Sequence, residues 1–175
     1  MKKKYNFDTF RLIAAFMIVA IHTYPLTILS ENIDYIFTRV LFRIAVPFFF
    51  MITGYFVLPV ALKEKEKLKT YTLKIAKIYG ISMLIFLPLN LYNHYFSNTN
   101  WVGILKDIFV NGTFYHLWYF PALLLGIWIT YYLLKIKNKR IKISVFLLLY
   151  MIGLFGDSYY GLIENIKVLK TFYNY

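Results

Sequence analysis

Five apolar stretches of about twenty residues each, separated by short runs rich in lysine, leave this chain few ways to fold. About twenty apolar residues in a helix cover the roughly 30 Å of hydrocarbon in a bilayer. Inside lipid, a single segment satisfies its own backbone polar groups only as a helix. The stretches lie at residues 7–29, 36–59, 73–95, 115–134 and 142–160, the last with an uninterrupted core that stops at Gly156. Composition agrees with this reading. Of 175 residues, 60% are hydrophobic, 21% aromatic and 16% charged, whereas a soluble domain carries about half apolar and about a quarter charged residues. The polar surface is too small to coat a globule in water. The expected fold is an all-α, polytopic transmembrane helix bundle of about five spans, forming one domain over residues 1–175. A shorter amphipathic stretch, Trp101–Val110, carries Lys106 and Asp107 and is expected to lie at the membrane surface between the third and fourth spans.

The net charge of +12 is compatible with nucleic-acid binding as well as with a membrane. Distribution separates the two. Basic residues cluster at Lys2–Lys4, in the run Lys63–Lys77 and in Lys135–Lys142, all on one side of the proposed spans, whereas the opposite loops hold Glu31, Asp34 and Asp107. The positive-inside rule then places the N-terminus in the cytoplasm of a multi-pass cell-membrane protein, and five crossings put the C-terminus outside. No nucleic-acid partner is expected; the bilayer is. A basic start before an apolar run also suits a signal peptide, but TYPLTIL after His22 lacks a small-residue cleavage pattern. The chain has no cysteine, which excludes disulfides, thiolate zinc sites and a cysteine-linked acyl intermediate.

An ionisable group at membrane depth is costly unless paired, hydrated or close to an interface. Asp8 and Arg11 stand three residues apart on one face of the first span, as an interfacial ion pair or as part of a site. His22 follows Arg11 by eleven residues, about three turns, so both project from nearly one stripe roughly 16 Å apart. It is either a neutral histidine bonded to a neighbouring helix or a functional group. Arg39 and Arg43 lie one turn apart in the second span and either snorkel to phosphates or line a cavity. Pro47 follows and cannot donate to the carbonyl of Arg43, which weakens the helix there. His116 opens the fourth span, where Tyr115, Trp118 and Tyr119 also suit an interfacial aromatic belt. Pro25, Pro88 and Pro121 fall at a similar level. Together they suggest an outward-opening cavity ringed by His22, Arg39, Arg43 and His116. A G-x-S-x-G elbow, a phosphate-binding loop and a histidine pair at metal spacing are all absent, and His94 sits at a loop edge, so no metal site is expected.

Several stretches resemble acyltransferase family 3. FDTFRLIAAFMIVAIH (7–22) is similar to its first span, VPFFFMITGYFV (46–57) to its second motif and HLWYFPALL (116–124) to its third. Within the family, FRIAVPFFFMITGYFV, FLPLNLY, VNGTFYHLWYFPA and MIGLFGDSYYGLIE look like the membrane domain of the membrane-bound serine racemases of vancomycin resistance. The resemblance implies transfer of an acyl group, often acetyl, from coenzyme A to a hydroxyl of a sugar or envelope molecule, with no permanently bound cofactor. Under it His22 is the base that takes the acceptor proton, while Arg11 and the inner lysines hold donor phosphates. His116 and Arg43 orient the acceptor, and Arg39, Trp118 and Tyr55 contribute to substrate binding. The family's membrane part is about twice as long, and the racemases add a soluble pyridoxal-phosphate domain. The expectation is therefore that the chain represents part of a larger bundle, completed by further spans or by another copy. The segment from Ile163 onward, which shows no cap or polar tail, points the same way. Two other functions stay open: an L-serine binding or uptake module with Arg39 or Arg43 on the carboxylate, and a membrane scaffold without chemistry.

Overall fold

The computed structural model describes residues 5–114 and 116–156 of the chain, and no strand occurs among them. The chain divides into two compact units, Met1–Ile127 and Trp128–Tyr175. Residues 157–160 of the fifth expected span, the segment from Ile163, Lys2–Lys4 and Tyr115 lie outside the described residues.

In the first unit, α1 runs from Tyr5 to Thr23, six residues short of the apolar stretch that contains it. Proline explains the early stop. Pro25 has no N–H for the ladder and disfavours helical geometry in the residue before it. Tyr24 accordingly turns left-handed at φ 48°. Its N–H still donates to the Ala20 carbonyl at 3.0 Å, after which turn bonds take the chain to Ser30.

A continuous helical run then covers Glu31–Lys63. It starts as α2 (Glu31–Asp34), widens into a π-helix over Tyr35–Leu41, tightens into a 3₁₀ turn over Phe42–Ile44 and resumes as α3 (Ala45–Lys63). The irregular part lies immediately upstream of Pro47. A proline ring crowds the carbonyl four residues back, here that of Arg43, and leaves it without its usual donor. The tight turn absorbs that mismatch and the wide turn before it restores the direction of the axis. One extended residue, Glu64, separates α3 from α4 (Lys65–Tyr92). The two helices pack as antiparallel neighbours, with Ile52, Leu58, Ala61 and Leu68 buried. Exposed ion pairs, Lys69–Glu66 at 2.7 Å and Lys67–Glu64 at 3.9 Å, decorate the basic start of α4.

Beyond α4 come α5 (Tyr95–Asn98) and α6 (Trp101–Lys106), the latter capped by Asn100, whose side chain accepts from Gly103 N at 2.7 Å. A π turn, Asp107–Asn111, extends α6. Trp101, Val102, Leu105 and Phe109 are exposed while Ile104 is buried. Asp107 turns inward instead of facing water. It accepts from Tyr95 Oη at 2.6 Å and from Asn111 Nδ2 at 2.8 Å. Residues 112–114 and 116–118 are non-helical, and α7 (Tyr119–Lys135) follows.

In the second unit, the last turns of α7 lead to α8 (Lys139–Gly156). Asn138 caps α8 by accepting from Arg140 N at 2.9 Å, and Lys142 Nζ reaches the Leu134 carbonyl at 3.4 Å. The Lys135 ammonium rests 4.4 Å from the centre of the Tyr131 ring.

Two helical runs, Glu31–Lys63 and Lys65–Tyr92, are long and apolar enough to cross a membrane by length and composition. Exposure points the same way. Large apolar side chains such as Phe16, Leu84, Ile85 and Leu148 stand 60–68% exposed, and so much apolar surface in contiguous patches marks a surface built to meet lipid or other chains.

Candidate functional site

The two faces of α1 settle where its polar residues look. Leu12, Ile13, Phe16 and Val19 are exposed, whereas Ala14 is wholly buried and Phe10, Arg11 and Ile18 are partly covered. With 3.6 residues per turn, the covered set lies on the stripe that starts at Arg11, and His22, at the far end of the same stripe, is itself exposed. The covered set faces α3 and the irregular segment before it. Aromatic contacts record an antiparallel register. Phe7 meets Tyr55 and Phe56, each at 6.1 Å between ring centres, and Phe10 meets Phe48 at 4.5 Å.

Arg11 sits at the N-terminal end of this stripe. Its Nη1 donates to Asp8 Oδ1 at 2.9 Å, and its guanidinium lies 5.2 Å from the centre of the Phe56 ring. Tyr55, expected with the acceptor, is an exposed neighbour of this cluster instead. The reason is register: thirteen residues of helix separate it from Phe42, which packs at the opposite end of α1.

At the other end of the stripe the chain brings its two candidate histidines into contact. The rings of His22 and His116 are 4.1 Å apart at an interplanar angle of 66°. Nearly a hundred residues separate them in sequence, and the turn that begins at Gly112 closes that gap. Gly112 makes the turn possible. It adopts φ 83° and ψ 142°, and a Cβ there would fall 2.6 Å from the backbone of Leu117 and Trp118. Only glycine takes that conformation and tolerates so close an approach. Past it, an aromatic stack holds His116. Phe114 lies parallel to its ring at 5.8 Å and Phe86 of α4 at 6.5 Å, and these two phenylalanines stack on each other at 4.6 Å. Leu117 is buried beneath the turn, and Thr113 Oγ1 is buried as well.

The two arginines of the expected ring stand on the irregular run before α3. The Arg39 guanidinium lies over the Tyr24 ring at 5.3 Å, and Arg43 is exposed. The wide π turn rotates the Arg39 side chain away from the direction that an unbroken helix gives it. The neighbouring acid is Asp34, 3% exposed. Its carboxylate accepts from Leu26 N at 3.0 Å and from Thr38 Oγ1 at 3.2 Å, fastening the loop after α1 to the start of α2. Trp118 is 43% exposed beside His116.

Two cavities accompany these groups. One, of about 420 Å³, lies on the basic part of α4 between Thr70, Leu73, Lys74, Lys77 and Ile78. The other, of about 460 Å³, runs along the exposed side of α1 and ends at Phe42. His22 is not among its lining residues.

The sequence alone did not mark Gly112, Asp34, Phe86 or Phe114. A signal existed for the first: an Asn-Gly pair directly before an aromatic run is turn chemistry.

Comparison with known proteins places this arrangement in a family. No solved structure matches the chain. An amino-acid racemase of Enterococcus faecalis is 47% identical over 168 residues, which are 95% of this chain and 24% of that protein. A second amino-acid racemase of the same organism is 40% identical over 182 residues, covering 100% of this chain and 26% of the racemase. A serine/alanine racemase of Enterococcus gallinarum is 44% identical over 183 residues, 99% of this chain and 25% of that protein. The chain thus spans about a quarter of the length of these relatives. The pattern of the acyltransferase domain matches residues 4–175, nearly the whole sequence, and the chain belongs to that family, acyltransferase family 3.

Proposed function

We propose that the chain forms the histidine-bearing part of a membrane-embedded acyl-transfer site. The observation that carries this reading is the contact between His22 and His116, whose ring centres lie 4.1 Å apart. His22 takes the proton of an acceptor hydroxyl. The oxygen attacks the carbonyl of an acyl thioester, the carbon–sulfur bond breaks, and the departing thiolate takes up the proton from the imidazolium. His116, fixed by Phe86 and Phe114, orients the His22 ring and the acceptor. Arg11, with Lys74 and Lys77 beside their cavity, receives the phosphates of a coenzyme A donor at the basic end. The N-terminus is cytoplasmic in this scheme, and several helices cross the membrane. The acceptor is a hydroxyl of an envelope molecule or sugar, and further helices come from the remaining length of a longer protein or from a second copy.

A second reading has its own support in the relatives, which are named for amino-acid and serine/alanine racemases. In it the domain binds or imports a small amino acid such as L-serine, with Arg43 or Arg39 on the carboxylate.

One pair of measurements separates the two. Membranes containing the chain are supplied with radiolabelled acetyl-coenzyme A, and label in the envelope fraction is compared for wild type and His22→Ala. Label that depends on His22 supports transfer, and equal label in both variants removes it. Accumulation of labelled L-serine in the same vesicles, without acyl label, supports the second reading.

A further inference from the structure

We infer that the exposed side of α1 carries a binding groove for one anionic phospholipid, with an acyl chain lying along the helix and the phosphate on Arg39. This site is separate from the histidine pair and does not depend on acyl transfer.

The groove holds about 460 Å³, a volume typical of pockets that take small molecules, roughly 300–1,000 Å³. Its wall is almost wholly apolar, built from Ile13, Phe16, Val19 and Ala20 of α1, from Leu26 in the following turn, and from Phe42 across the gap. Phe16 and Val19 are 68% and 58% exposed, so the groove opens sideways, toward the medium that bathes the helix. In a membrane that medium is hydrocarbon.

A purely apolar cleft selects nothing in a bilayer. The end of this one is different. Thr23 and Pro25 line it, and the residue between them is Tyr24, whose ring carries the Arg39 guanidinium at 5.3 Å. Phe42, three residues after Arg39, forms the far wall, and Arg43 is exposed directly after it. Two cations therefore bracket the single residue that closes the groove. Neither forms an ion pair among the described residues. The acid closest in the chain, Asp34, is already engaged by Leu26 N and Thr38 Oγ1. A guanidinium held over a ring is restrained in position, and its forked N–H groups suit phosphate oxygens. Charge at the mouth and apolar wall below match the two parts of a phospholipid. A net negative headgroup is favoured over a zwitterionic one by about fivefold for each arginine near the surface.

The test uses the chain reconstituted in bilayers of equal dioleoyl phosphatidylglycerol and dioleoyl phosphatidylcholine, released into detergent and weighed intact with its retained lipids. Wild type is expected to keep one phosphatidylglycerol in preference to phosphatidylcholine. The Arg39→Gln/Arg43→Gln double variant is expected to lose that preference by about 25-fold, whereas Lys137→Gln retains it. Ala20→Phe, which fills the groove and leaves both arginines, is expected to lose the bound lipid with its helical circular dichroism unchanged. Excess inorganic phosphate is expected to leave the lipid bound, because the chain contributes to binding. Equal retention of both lipids by wild type, unchanged preference in the arginine variant, or full retention in Ala20→Phe would overturn the proposal. Release by inorganic phosphate overturns the part played by the groove.

Discussion

Replacing Gly112 with alanine probes the turn that brings His116 to His22. The backbone there, φ 83° and ψ 142°, lies near a region that only glycine populates freely, at a cost of about 1–3 kcal/mol for any other residue. The added methyl carbon also meets Leu117 C and Trp118 N at 2.6 Å, and backbone atoms cannot swing aside as a flexible side chain can. A total of about 2–4 kcal/mol follows, within the range of special-conformation substitutions. By the scaling of soluble domains of this size, that is a fall in Tm on the order of 5–10 °C. The geometric consequence is sharper: relief of the clash requires residues 113–118 to move, and His116 moves with them. The chain contains no cysteine, so a His22→Cys/His116→Cys pair reports proximity against a clean background. Bridging by a short bifunctional thiol reagent is expected to proceed readily with Gly112 and to fall at least tenfold with Gly112→Ala. If both backgrounds bridge equally and Tm is unchanged, Gly112 does not hold the turn. If neither bridges, the histidine contact itself is wrong.

Other expectations follow from single contacts. Asp34→Ala removes the acceptor for Leu26 N and Thr38 Oγ1 in a nearly closed site and is expected to cost about 2–3 kcal/mol, read as thermal stability in detergent; an unchanged Tm would show that the loop does not depend on it. His116→Phe keeps a ring against Phe86 and Phe114, so the protein is expected to fold normally while acyl transfer drops by about 10²-fold, the usual weight of lost orientation. The Arg11–Asp8 pair is 41% and 64% exposed and is worth at most about 1 kcal/mol. Arg11→Ala is therefore expected to raise the KM for the acyl donor with little change in Tm. Burial first, and then its hydrogen bond to Asp107, push the Tyr95 hydroxyl above its ordinary pKa of 10.0. A value raised in the folded state gives stability that is complete below the ordinary pKa of 10.0 and lost as pH rises from there through the folded value. Alkaline melting curves are thus expected to steepen above about pH 10, and Tyr95→Phe to remove that component.

Helix content was legible in the sequence because apolar length alone dictates it, but boundaries followed local chemistry. The first helix ends at Thr23 because of Pro25, a residue visible in the sequence whose effect the apolar stretch masked. The weakening anticipated at Pro47 is present, displaced upstream as a wide turn and a tight one. That displacement also explains why Arg39 and Arg43 could not be placed, since helical spacing assumes a constant number of residues per turn. His22 and His116 stood out as ionisable groups at membrane depth. Their contact rests on an irregular turn and on Phe86 of α4, too far along the chain from His22 for helical periodicity to connect them. Asp34 looked like an ordinary loop acid, because its partners are a backbone N–H and a hydroxyl, and neither leaves a trace in spacing.

The wide turn at Tyr35–Leu41 also changes what the chain can tolerate. Such a turn stores one residue more than an ordinary helical turn. Loss of a single residue within it can be absorbed by reverting to regular geometry, with Pro47 and everything after it left in place. The same deletion in the unbroken middle of α4 would swing all later side chains by about 100°. Length variation among related sequences should therefore gather at this one spot in the run.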